Sequence, residues 1–144
     1  MKKSIQTIAV VASALVLSSS GFAKETDELV ELGKSKFELI CMACHKYEHG
    51  PEIIAPPAFA IQMHYQNNYG QDEKAFRNAI VEWAKAPDKS KTLMPGAIRK
   101  FNLMPPLPLP DADLDAIASY LFHANFNGEC DPAEMEQNKK MLSQ

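Results

Sequence analysis

Residues 41–45 read Cys-Met-Ala-Cys-His: two thiols three positions apart, followed directly by an imidazole. One turn of chain can present Cys41 and Cys44 to the same partner and hold His45 beside them, so whatever this segment binds dictates how the rest of the chain folds around it. Three chemistries use such a spacing. A dithiol redox pair belongs in a βαβ context, and no stretch here alternates apolar and polar residues for long enough to predict a strand. A structural zinc ion needs two more ligands at metal-binding spacing, and the third cysteine, Cys130, with a remote histidine makes a poor set. The spacing fits covalent haem attachment, each thiol bonding one vinyl-derived carbon of the porphyrin and His45 lying beneath the iron.

Such attachment takes place outside the cytoplasm, and the N-terminus agrees with export. Lys2 and Lys3 precede an apolar run from Ile5 to Leu17, then small residues up to Ala23. This predicts a signal peptide over residues 1–23, cut after Ala23. The run is 13 residues long, short of the roughly 20 needed to span a bilayer. There is no twin arginine and no cysteine at the cleavage point to take a lipid. The expected product is periplasmic, with no stable membrane insertion. Cleavage would move the formal charge from −3 to −5 by removing Lys2 and Lys3, which disfavours nucleic acid as a partner.

The mature chain, of single-domain size, divides into a domain at 24–128 and a polar tail at 129–144. Leu29, Val30, Leu32, Phe37, Leu39 and Ile40 recur near helical spacing, predicting a first helix from Thr26 into Cys41. Residues 46–71 concentrate prolines, glycines and asparagines and read as loop, with a short helical turn around Phe59 to Tyr65. Ala75, Phe76, Ala79, Ile80 and Trp83 predict a helix over 72–85, stopped by Pro87. Residues 86–110 hold seven of the prolines and glycines and form a stiff loop with at most a turn at Ala97 to Phe101. Leu114, Ile117, Ala118, Leu121 and Phe122 predict a last helix from Asp111, ending near 125–128. The class is all-α with long loops.

From about residue 30 to 125 the chain resembles class I cytochromes c. In that family a glycine and, four residues on, an aromatic lie where the first helix crosses the last; Gly33 and Phe37 fit, with Tyr120 as the aromatic of the last helix. The resemblance implies three to five helices wrapped around one haem c, attached through Cys41 and Cys44. It implies His45 as one iron ligand and, as the other, a methionine before the last helix. Met104, followed by Pro105 and Pro106, fits that position; Met94, followed by Pro95, is the rival. His49, His64 and His123 read as surface groups. The resemblance also implies a loop proline whose neighbourhood offers a carbonyl to the His45 ring, and Pro57, with Phe59 two residues on, fits better than the pattern at Pro51.

Two axial ligands from the chain would leave iron no open position, so the expected role is one-electron transfer between redox protein partners, without catalysis. Phe37, Phe59, Ile61, Leu103, Leu107 and Leu121 are the expected apolar lining. The alternatives are a haem subunit of a larger periplasmic oxidoreductase, or a haem enzyme or gas sensor with an open iron. Lys85, Lys89, Lys91, Arg99 and Lys100 form a basic stretch that reads first as a solvated face and second as a rim that steers partners. Cys130, unexplained by the family, could link two chains through a disulfide.

Overall fold

The computed structural model describes residues 20–126 apart from His49 and Pro51, together with Lys140. The expected signal peptide up to Ser19, His49, Cys130 and the tail other than Lys140 lie outside the described residues. Among the described residues the elements are all helical. They are α1 (Ser20–Lys36), α2 (Ala58–Tyr69), α3 (Glu73–Lys85), α4 (Pro95–Phe101) and α5 (Asp111–His123), with a short 3₁₀ turn at Lys89–Lys91.

Helix α1 packs across α5, and α3 packs along α5 on another side. At the α1–α5 crossing the backbone of one helix lies directly against that of the other. A Cβ placed on Gly33 would fall 1.8 Å from the Ala116 carbonyl oxygen and 2.9 Å from Tyr120 Cβ, so only glycine permits the approach. One turn later Phe37, 1% exposed, meets Tyr120 with ring centres 5.7 Å apart and stacks on Tyr47 at 6.0 Å. Tyr47 donates to Glu38 Oε1 at 2.7 Å and accepts from the Tyr120 hydroxyl at 3.4 Å. Lys36 pairs with Asp113 at 2.9 Å across the same crossing. Gly33, Phe37 and Tyr120 thus occupy the places that the resemblance implied.

Helix α3 starts as its sequence predicts, with Asp72 accepting from Ala75 N–H at 3.0 Å, which satisfies an amide that the first turn leaves free. Arg77 on α3 spans to Asp115 on α5, bonding both carboxylate oxygens, and to Glu73 at 2.9 Å. Behind them Phe76 meets Tyr65 and Phe122 edge-on, with centroids 5.8 and 5.2 Å apart.

Two regions expected to be mostly loop are helical. Helix α2 runs for 12 residues where a short turn was expected. It begins after Pro57 and stops at Gly70, whose φ of 60° is one that glycine adopts without steric cost. Asn67 and Asn68 end up exposed in its last turn. Helix α4 begins at Pro95, in the first-turn position where a missing N–H costs nothing, and ends at Asn102 with φ 67°. Helix α1 begins at Ser20, before the expected Thr26, so a cut after Ala23 would fall within its first turn. Helix α5 ends at His123, slightly before the expected 125–128.

Candidate functional site

The end of α1 does not simply run into the cysteines. From Phe37 to Cys41 the chain widens into one π-helical turn, closed by Met42 N–H donating to Phe37 O at 2.9 Å. The chain then tightens, because the amides of Cys44 and His45 both donate to Cys41 O, at 3.0 and 2.8 Å. A widened turn of this kind redirects the side chains that follow it. Here it hands the motif from helix to loop around a single carbonyl.

The loop that follows is clamped back on the motif. His45 Nδ1 donates to Pro56 O at 2.7 Å. Ala58 N–H donates to Lys46 O at 2.7 Å and Phe59 N–H to Tyr47 O at 3.5 Å. The first amides of α2, which a helix cannot satisfy internally, are therefore taken by the two residues after His45. The acceptor for the histidine is the carbonyl one residue before the expected Pro57. Pro57's own carbonyl accepts from Ala60 and Ile61 N–H within the first turn of α2, while Pro57's ring is buried. Pro56 O, just outside the helix, is the one left for the imidazole.

With Nδ1 donating, the lone pair of His45 resides on Nε2. Burial pushes the His45 imidazole below its ordinary pKa, against a smaller upward pull from the Pro56 bond, so the ring is held in the neutral form that binds metal. The Cys41 thiol is pushed up to about 11, chiefly by burial and further by the neighbouring Cys44. Cys41 is half-buried and Cys44 exposed.

These three residues border a cavity of about 260 Å³. Its walls are Ile40 and Phe37 on one side, Ile61 and Tyr65 of α2, Ile80, Trp83 and Ala84 of α3, Leu114 and Ile117 of α5, and the chain from Thr92 to Leu107. Met94 and Met104 both line it. Of the six residues expected as apolar lining, Phe37, Ile61, Leu103 and Leu107 are there; Phe59 and Leu121, each 3% exposed, pack in the core behind it. Among the described residues no three His, Cys, Asp or Glu side chains converge to hold a bare metal ion. The donors fit a porphyrin instead: two thiols at the edge, one oriented imidazole, and thioethers within an apolar slot.

A family model described as Cytochrome c matches residues 30–125. The chain belongs to the cytochrome c family. Its members carry an iron porphyrin covalently, as haem c, and this cytochrome's role is haem-based electron transfer. No curated protein and no solved structure matches it. The all-helical fold around the cavity is the cytochrome c fold.

The motif and both methionines were legible in the sequence, and so was the neighbourhood of Pro57 as the source of the accepting carbonyl, which the structure places on Pro56; the walls contributed by α3 were not. Trp83 and Ile80 were read only as a core stripe, although their place on the helix that flanks the ligand loop was the available signal. The basic stretch is partly engaged within the cytochrome: Lys85 bonds Asp111 at 2.7 Å, and Lys100 lies 5.1 Å above the Phe101 ring centre. No helix among the described residues is long and apolar enough to cross a membrane.

Proposed function

We propose that this cytochrome is an exported, soluble, periplasmic single-haem carrier of class I type. In this reading residues 1–23 are removed, Cys41 and Cys44 hold the porphyrin by thioether bonds, and His45 and Met104 are its axial ligands. The observation that carries the reading is that one apolar cavity is bordered by both motif thiols, by His45 with its Nδ1 already committed to Pro56 O, and by the Met104 side chain.

When bound, the haem supplies one-electron exchange between Fe(III) and Fe(II). The chain's part is to fix the conditions of that exchange. The Pro56 carbonyl orients His45 and raises its basicity. The Met104 thioether, a soft donor, favours the reduced state, and walls such as Phe37, Ile61 and Leu107 exclude water and penalise the extra charge of the oxidised one. Two chain-supplied ligands leave no position for substrate, so the protein carries electrons rather than catalyses. Redox proteins would dock where Cys44 opens to solvent, at the border of the cavity that also carries Ile54, 64% exposed. Lys89 and Lys91, both exposed, are the part of the basic stretch available for steering; transfer rates independent of ionic strength would exclude steering.

The test is peptide mapping and potentiometry of the protein purified from an exporting host. The reading predicts a mature chain starting at Lys24, one haem on the peptide containing Cys41 and Cys44, and a titration that follows a single one-electron step. Haem lost on denaturation, or a multi-electron titration, would overturn it.

A further inference from the structure

Two methionine side chains line one cavity, and they reach it from separately anchored pieces of chain. Met94 closes the N-terminus of α4: its N–H donates to Thr92 Oγ1 at 3.0 Å and its carbonyl accepts from Ile98 N–H at 3.3 Å. Thr92 is itself buried, at 9% exposure. Met104 comes instead from the helix-free segment 102–110, which is entered through the positive-φ residue Asn102 and tied to α3 by Leu107 N–H donating to Ala84 O at 2.8 Å. Pro105, Pro106 and Pro108 on this segment are exposed. A segment with few buried contacts and few backbone bonds opens at lower free energy than a helix-anchored residue.

Apart from His45 and the two thiols used in attachment, the remaining lining is hydrocarbon and aromatic, plus the neutral oxygens and nitrogens of Tyr65, Trp83, Thr92 and Asn102. Met94 and Met104 are therefore the two soft donors that the cavity offers to iron. We propose that Met94 is a reserve axial ligand: when the 102–110 segment withdraws Met104, the Met94 thioether takes its place. One iron–sulfur bond breaks and another forms, with no electron or proton exchanged, so the ligand class is unchanged and the iron stays closed to small molecules. The proposal rests on Met104 being the resting ligand.

The experiment compares Met94→Ala, Met104→Ala and the double variant as holoproteins, read by the weak far-red charge-transfer band of methionine-ligated Fe(III) and by carbon monoxide binding to the reduced form. The expected result is that Met94→Ala keeps the methionine band and resists carbon monoxide, that Met104→Ala does the same, and that only the double variant loses the band and binds the gas. Met104→Ala binding carbon monoxide and losing the band, with Met94→Ala unchanged, would overturn the reserve role while leaving Met104 as the resting ligand. Loss of the band in Met94→Ala alone would overturn both assignments, as would a band surviving in the double variant. If Met104→Ala fails to accumulate, Met104→Leu keeps the volume and gives the same readouts. As a further check, Thr92→Val, which removes the acceptor for Met94 N–H, should weaken the band in the Met104→Ala background and leave it intact in the parent; an unchanged band in both would overturn the anchoring by Thr92.

Discussion

His45 Nδ1 donates to the Pro56 carbonyl across 2.7 Å, so the orientation of the ring is set by the residue two positions before the start of α2. The ring is pushed below its ordinary value of 6.5, chiefly by burial. Because the folded-state value is depressed, the unfolded chain takes up a proton near pH 6.5 while the folded one does not. The stability that the neutral ring contributes is present above 6.5 and is lost as pH falls toward and through the lower folded value. With iron on Nε2, as proposed, the folded ring has no lone pair left to take a proton, so the same sign holds for the holoprotein: its thermal midpoint should decline as pH drops below 6.5, with an unchanged haem spectrum over the first part of that fall. A midpoint that rises on acidification from pH 6.5, or loss of His45 ligation at or above that pH, would contradict this.

The contact at Gly33 predicts the largest stability effect of a single methyl group. With Ala116 O 1.8 Å from the added Cβ, and both partners being helix backbone, Gly33→Ala must separate α1 from α5 and should cost about 3 kcal/mol. Chemical denaturation of the holoprotein reads this directly. Because Phe37, which lines the cavity, packs on Tyr120 at the same crossing, the haem spectrum should be perturbed as well.

At its C-terminus α5 is capped by side chains of another helix. Gln62 Nε2 on α2 donates to Leu121 O at 2.8 Å and to Ala124 O at 2.6 Å, and Gln66 Nε2 donates to Phe122 O at 3.2 Å. Gln62→Leu keeps the volume but leaves partly buried carbonyls unpaired, which costs about 2 kcal/mol. The unfolding free energy from chemical denaturation should fall by that amount and the optical spectrum should stay as in the parent, since Gln62 does not border the cavity.

Asn102 holds φ at 67° two residues before Met104. With ψ at −179° this lies outside the left-handed helical well, in a region that glycine adopts freely and that strains any residue carrying a Cβ. Asn102→Gly should raise stability by about 1 kcal/mol by relieving that strain and leave the methionine band unchanged, whereas Asn102→Val should destabilise by about 1–2 kcal/mol and reduce the band, because the added strain is released by moving the Met104 segment. Equal behaviour of the two variants would show that the turn does not position Met104.

What the sequence revealed depended on how each segment is packed. Helix α3 shows an apolar stripe because it buries one side, helix α5 reads as apolar because its turn Ala116–Leu121 is buried all round among the other helices, and the Gly33–Phe37 pair is legible because a crossing needs a small residue next to a large one. Helix α2 shows no stripe: its apolar residues Phe59, Ile61 and Tyr65 face different neighbours, while Gln62 and Gln66 are used as caps for α5. Its prolines, read as breakers, are what start it. The widened turn at Phe37–Cys41 leaves no trace in composition, since it is a property of backbone bonding. The choice of Pro56 over Pro57 as acceptor follows from which carbonyl the helix consumes, and that is decided only once α2 exists. Met94 and Met104 were both visible as methionine–proline pairs, but that they share a cavity is a tertiary fact.

In the proposed function the chain itself fills both axial positions of a covalently held haem and so carries electrons. Carbon monoxide added to the reduced, purified holoprotein probes this. The absorption spectrum should stay unchanged on mixing, with the far-red methionine band present in the oxidised form; a prompt shift of the main haem absorption band to that of a carbon monoxide complex would mean an open iron and rule this function out.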